Sequence, residues 1–191
     1  NMPQIGRSQS RSANGTPATN RAEPMTPQPE SIRIRPAGPA DVPLIGALIR
    51  ELADYERLQH ACFVDETQLH AHLFGASPRA EVLILEHGAP VGFALFFHTF
   101  STFECAPTLY LEDLFVRPDF RRKGIGERAL RRLARLAVER GCRRFEWAVL
   151  DWNRPAIEFY EKLGAKLLNS WRFCRLDGEA LKQLAQGDAS S

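Results

Sequence analysis

The sequence predicts an α/β fold in which a mixed, mostly antiparallel sheet carries helices on both faces. Three observations lead there. Short strand-like apolar runs alternate with stretches at helical spacing. The strand-like runs between 81 and 116 follow one another through short connections, as an antiparallel meander does. After residue 116 the order becomes helix, strand, helix, strand, the mark of crossover connections. At 191 residues the chain is long enough for one domain with a full core.

Residues 1–31 stand apart. They are dominated by Ser, Thr, Pro, Asn, Gln and Arg with almost nothing to bury, so a disordered tail is expected. A single domain is expected over 32–186, with 187–191 as a C-terminal tail. Ile32 and Ile34 alternate with Arg33 and Arg35 before Pro36, which reads as a short strand. Leu44, Leu48 and Leu52 repeat every four residues beside Ile45 and Ile49, with Asp41 placed to cap the helix and Pro43 in its first turn. A second helix is expected over Glu66–Phe74. Glu81–Glu86 and Val91–Thr99 flank His87-Gly88-Ala89-Pro90, a hairpin. After an irregular 100–107, Leu109–Val116 is another strand.

Glu127–Arg140 has the spacing of an amphipathic helix, with Leu130, Leu133, Ala134, Ala137 and Val138 expected to face inward and Gly141 to end it. Phe145–Leu150 reads as a strand, Arg154–Leu163 as a helix stopped by Gly164, and Trp171–Leu176 as a last strand. Asp177 opens a closing helix.

The net charge of +2 is too small to argue for a nucleic-acid or membrane partner. No apolar run approaches the ~18 residues of a membrane helix. Cys62, Cys105, Cys142 and Cys174 form no CxxC pair and no His/Cys metal spacing, so reduced thiols in a cytoplasmic protein are expected, with no metal.

Chemistry concentrates in Glu112–Gly126, EDLFVRPDFRRKGIG. A basic, glycine-containing loop follows a strand and opens a helix. Uncapped amides at a helix start, the positive end of its dipole and nearby Arg and Lys make a seat for phosphate. Gly126 is followed by Glu127, so the loop is no Walker A motif, and it lacks the third glycine of a dinucleotide fingerprint. Upstream, strand alternation turns Glu112 and Asp113 to opposite faces. At most one of them then enters the site, and Glu112 is favoured.

Arg121-x-x-Gly124-x-Gly126 after Leu114-Phe115-Val116 resembles the pyrophosphate loop of the GCN5-related N-acetyltransferases, the GNAT family. Asp151–Ala165, with Asn153 before a helix carrying Tyr160 and then Gly164-Ala165, resembles that family's second signature. The resemblance extends over about Ile32 to Leu184. It implies a splayed-strand cleft holding acetyl-CoA. Leu114, Phe115 and Val116 would line the pantetheine arm. Arg121, Arg122, Lys123, Gly124, Ile125, Gly126 and Glu127 would surround the pyrophosphate, with Arg117 near phosphate charge. Asn153, Arg154, Pro155 and Ala156 would touch the cofactor from the other lip.

An alkylammonium with pKa of about 10.4 must lose a proton before it attacks a thioester, and the departing thiolate needs one. The resemblance assigns Glu112 as base, directly or through water, and Tyr160 as acid that also meets the cofactor. The amine attacks directly, without an acetyl-enzyme. Tyr110–Asp113 and Arg50–Glu56 resemble the diamine N-acetyltransferases of the spermidine/spermine type, whereas Thr99–Phe103 and Val149–Asn153 are closer to the thialysine branch. A small diamine, polyamine or thialysine-like amino acid follows as substrate, contacted by Tyr55, Glu56, Glu112, Glu146, Trp147 and Ala148. The family also implies a homodimer. The alternatives are a coenzyme A-binding sensor without turnover and a peptide or protein N-acetyltransferase.

Overall fold

A computed structural model describes residues 31–187. The expected tail over 1–31 lies outside the described residues except for Ser31, and the tail over 187–191 except for Gly187. In chain order the elements are β1 (Ile32–Pro36), α1 (Val42–Glu56), α2 (Glu66–Phe74), β2 (Glu81–His87), β3 (Ala89–Ser101), β4 (Ala106–Val116), α3 (Ile125–Glu139), β5 (Arg144–Trp147), α4 (Arg154–Lys162) and α5 (Gly178–Gln186). The strands form one sheet in the order β1-β2-β3-β4-β5. The first four are antiparallel and β5 runs parallel to β4.

Helices cover both faces. Val82, Ile84, Phe93 and Phe115 pack against Ile45, Leu48 and Leu52 of α1 and Leu73 of α2. Leu83, Ala94, Phe96, Leu109 and Leu111 meet Leu130, Leu133 and Ala137 of α3 on the other face. Central strands buried on both sides explain why 82–85 and 91–96 read as near-continuous apolar runs.

Asp41 occupies the cap position of α1, but its carboxylate caps nothing there. It accepts from the Gly38 amide at 2.8 Å and from Arg35 at 2.7 and 2.8 Å, tying the end of β1 to the start of α1. Arg35 holds the Asp41 carboxyl below its ordinary range. A side-chain cap does form at the start of α2, where Asp65 accepts from the Gln68 amide. On α3 the buried stripe is Ile125, Ala129, Leu130, Leu133 and Ala137, while Ala134 and Val138 face solvent. Each lies one residue past a buried position, about 100° round the helix. Gly141 ends α3 as expected: it is left-handed (φ 72°), and Gly141 and Cys142 amides return to Val138 and Ala137 carbonyls.

Two strand expectations are corrected. The strand expected over Phe145–Leu150 is β5, beginning at Arg144 and ending at Trp147. Trp171–Leu176 joins no ladder, and everything from Lys166 to Gly187 is exposed, including Trp171 at 73% and Phe173 at 85%. A strand pattern needs a free edge within reach, and this segment leaves the domain. Among the described residues no helix is long and apolar enough to cross a membrane.

Candidate active site

β4 and β5 pair only over Thr108–Leu111 and Arg144–Trp147. Beyond Leu111, β4 continues to Val116 paired with β3 alone, while the chain after Trp147 leaves the sheet. The parallel strands part, and one edge of 112–116 faces the gap. Peptide groups alternate in direction along a strand, so that edge offers donors and acceptors to an extended ligand. The strand is held by its side chains: Phe115 packs on the α1 side, Leu114 and Val116 on the α3 side.

The phosphate-loop residues follow β4 through a single turn at Pro118–Phe120. Arg122 (φ 60°) and Gly124 (φ 79°) both take the left-handed backbone, an arrangement that gathers N–H groups into an anion-binding concavity. For Arg122 this conformation is costly, and strain of this kind collects at ligand sites. Gly124 supplies no side chain to cap α3, so the first-turn amides remain available. Arg122 and Lys123 are exposed. Ile125 is buried and pins the loop to the core. Gly126 stands in the first turn of α3, where a Cβ would lie 3.8 Å from the Phe159 ring. Glu127 pairs with Arg131 one turn along. These residues fit a pyrophosphate.

Two arginines sit differently from expectation. Arg117 is not a free phosphate ligand: it makes a bidentate pair with Glu51 of α1 at 2.7 and 2.8 Å and donates to the Pro90 carbonyl. Arg121 donates from Nε to the Val116 carbonyl at 2.8 Å. Its guanidinium lies 4.2 Å from the Tyr55 ring centroid. It therefore fastens the end of β4 to the end of α1.

On the other lip, Asn153 Oδ1 accepts from the Ala156 amide and starts α4. Pro155 fits the first turn, where its missing N–H costs nothing, and Arg154 is exposed. Gly164 (φ 92°) ends the helix, with the Ala165 amide returning to the Tyr160 carbonyl at 3.1 Å. This cap fixes the turn that carries Tyr160. The Tyr160 ring meets Trp147 edge-on at 5.1 Å and Phe159 at 5.4 Å. Its phenol is pushed up to about 12, by burial first and then by Glu56 and Tyr55. Tyr160 packs with α3-side residues yet senses the end of α1, because the parted strands leave the sheet open there.

The expected amine-site residues divide by face. Tyr55 and Glu56 end α1; Tyr55 also lies 6.4 Å from the Trp152 ring. Burial raises the Glu56 carboxyl. Glu146 pairs in register with Tyr110, whose ring lies 5.3 Å from Phe97. The Tyr110 phenol is raised by burial and then by Glu112 and Glu146. Trp147 points to the α3 side with Phe145, and Ala148 is exposed just past β5.

The alternation expected of Glu112 and Asp113 does not hold. The register shifts between Leu95 and Phe96: Phe96 partners Leu111 and Leu95 partners Asp113, leaving Glu112 as an extra residue on β4. A bulge of this kind breaks alternation. Partners share a face, and Leu95 packs on the α1 side, so Asp113 points there too. Its carboxyl is pushed up to about 7, by burial and then by the charges of Glu112 and Glu56. Glu112 itself is exposed on the bulge. No local pattern signals the bulge, so the facing of Asp113 is not legible in the sequence, nor is the approach of the exposed Trp152 ring to Tyr55. Among the described residues no cluster of His, Cys, Asp and Glu side chains gathers to hold a metal.

Residues 47–165 match the acetyltransferase (GNAT) family. The chain belongs to this family. The acetyltransferase is 38% identical over 167 residues to thialysine N-epsilon-acetyltransferase of Sus scrofa, covering 81% of this chain and 98% of that protein. It is 35% identical to L-ornithine N5-acetyltransferase of Arabidopsis thaliana, over 80% of this chain and 87% of that one. An integron cassette protein of V. cholerae superposes with a TM-score of 0.69 at 28% identity, over 82% of this chain and 98% of that one. An aminoglycoside acetyltransferase from an uncultured soil sample shares the fold alone, with a TM-score of 0.65 at 18% identity and coverage of 76% of this chain and 97% of that one. Members of this family take their acetyl group from acetyl-CoA.

Proposed function

We propose that the acetyltransferase moves acetyl from acetyl-CoA to a primary amine of a small diamine, polyamine or thialysine-like amino acid by direct attack. The observation that carries this reading is the meeting of Glu56, Glu112, Asp113 and Tyr160 where β4 and β5 part. Carboxylates attract and deprotonate an ammonium, and a buried phenol protonates a thiolate. In this reading Leu114–Val116 hold the pantetheine arm, Arg122–Glu127 surround the pyrophosphate with Arg121 bracing the end of β4 beside it, and Asn153–Ala156 close the other lip. Tyr55, Glu56, Glu112 and Glu146 face the substrate, with Trp147 and Ala148 at its rim. Glu112, exposed on the bulge, contacts the ammonium and exchanges protons with water. Relatives acting on thialysine and ornithine support an amino acid with a terminal amine ahead of a polyamine. Four free thiols support a cytoplasmic setting.

The test is acetyl-CoA turnover against thialysine, ornithine, lysine, short diamines, spermidine and peptides. Amino acids with a terminal amine should give the highest kcat/KM. Tight coenzyme A binding with no turnover would point to a sensor, and preference for peptides to a protein acetyltransferase; either outcome sinks the reading.

We also infer a homodimer. Leu167, Leu168, Trp171, Phe173 and Leu176 are exposed beyond the domain, and among the described residues α5 has no buried position and no strand lies beside the outer edge of β5. A second copy answers both needs by receiving the extended segment. Light scattering should give twice the chain mass, and Trp171→Ser with Phe173→Ser should give a monomer. A wild-type monomer at micromolar concentration rejects this.

A further inference from the structure

Asp113 lies where several elements converge. Glu112 of its own strand and Glu56 at the end of α1 bear on Asp113; Glu56 and Tyr55 in turn bear on Tyr160 of α4, Glu112 and Glu146 of β5 bear on Tyr110, and Arg121 stacks on Tyr55. Among the described residues, the side chains of Glu56, Glu112 and Asp113 make no hydrogen bond or ion pair. The charges of Glu112 and Glu56 both bear on Asp113, and Glu56 and Asp113 are partly buried. A like-charged group of this kind favours holding a proton or taking up a cation from outside.

We propose that Asp113 accepts the first proton of the incoming ammonium, shares it with Glu56, and passes it to water by way of Glu112. This rests on the acetyl-transfer reading above and names its proton acceptor. One N–H bond of the ammonium breaks, its proton going to an Asp113 carboxylate oxygen and its electron pair staying on nitrogen. That pair forms the bond to the thioester carbonyl carbon. The carbon–sulfur bond then breaks with its pair on sulfur. The Tyr160 hydroxyl proton goes to sulfur, and the second nitrogen proton returns to the phenolate oxygen. Tyr160 ends as it began, and one proton leaves through the carboxylates per turnover.

The bulge explains why Asp113 suits this step better than its neighbour. It turns Asp113 to the α1 face beside Glu56 and leaves Glu112 in solvent. A carboxyl lifted to about 7 is also a better match for an ammonium at neutral pH than an ordinary carboxylate. The same placement links the two proton transfers. Burial first, and then Glu56 and Tyr55, raise Tyr160, so a proton shared by Asp113 and Glu56 removes one of the charges that make Tyr160 a reluctant donor. The first transfer therefore prepares the second.

The experiment is the pH profile of kcat/KM for the best amine, with thermal melts of each variant. Wild type should show an acidic limb near the value of about 7 for Asp113. Asp113→Asn should lose about 10²-fold or more in kcat/KM together with that limb, and Asp113→Glu should recover part of both. Glu56→Gln should move the limb to lower pH, because it removes a charge that lifts Asp113. Glu112→Gln should lose less than about tenfold and keep the limb. The folded value of Asp113 lies above that of unfolded aspartate. Its ionisation therefore weakens the fold as pH rises from about 4 to about 7. Asp113→Asn should melt above wild type at pH 8 and level with it at pH 4. A limb that survives in Asp113→Asn and vanishes in Glu112→Gln overturns the assignment while leaving acetyl transfer standing. So does an Asp113→Asn protein that melts below wild type at pH 8. A wild-type protein that acetylates no amine overturns both readings.

Discussion

Tyr160→Phe is expected to lower kcat by about 10²-fold and leave acetyl-CoA affinity close to wild type. The ring does the packing and the hydroxyl does the chemistry. Phe keeps the contacts with Trp147 at 5.1 Å and Phe159 at 5.4 Å, so α4 and the cofactor lip stay in place. What is lost is the proton donor for the leaving thiolate. With the phenol pushed up to about 12, Tyr160 remains protonated through neutral and mildly basic pH. Any basic limb below about pH 10 thus belongs to another group and should persist in the variant. Steady-state kinetics and calorimetric titration with coenzyme A separate the two effects. An unchanged kcat removes Tyr160 from the acid role. A large loss of coenzyme A affinity would instead make it a packing residue.

Features set by neighbours along the chain were legible in the sequence. Leucine spacing gave α1 and α3, Gly141 and Gly164 gave two helix ends, and the basic glycine loop was placed between β4 and α3. Features set by distant partners were not. The bulge at Glu112 exists because of how β4 meets β3 at Leu95 and Phe96, and alternation along β4 alone points the other way. Arg117 read as a phosphate ligand because it stands among basic residues; the fold delivers Glu51 from α1 to it instead. Ala134 and Val138 are apolar yet exposed because α3 offers only one stripe to the sheet. Trp171–Leu176 has strand chemistry without an edge in its own domain to join. At the site, the chemical types of the residues were readable and their facing was not. Alternation along β4 turns Asp113 away and the basic run points Arg121 to phosphate, whereas the bulge and the end of α1 decide both.

Gly92→Ala should destabilise the protein by about 3 kcal/mol, although alanine is ordinarily the better residue. Gly92 lies opposite Val116 in the β3–β4 ladder. A Cβ there would stand 2.2 Å from the Phe115 carbonyl oxygen and 3.1 Å from the Phe115 carbonyl carbon and the Val116 Cα. All three are backbone atoms, so no side-chain rotation relieves the clash and the strands must separate. A loss of this size is a large part of the 5–15 kcal/mol that holds an ordinary domain together. It falls on the segment whose free edge faces the cleft, so acetyl-CoA KM should rise as well. Denaturant unfolding should show a lower midpoint with an unchanged m-value. Gly126→Ala provides the contrast. Its Cβ meets only the Phe159 ring, at 3.8 and 3.9 Å, an ordinary contact. Stability should change by less than about 1 kcal/mol while acetyl-CoA KM rises, because the new methyl group stands among the first-turn amides that would receive the pyrophosphate. A Gly92→Ala protein as stable as wild type would show that β3 and β4 do not approach this closely. A Gly126→Ala protein with normal acetyl-CoA KM would remove the loop from pyrophosphate binding.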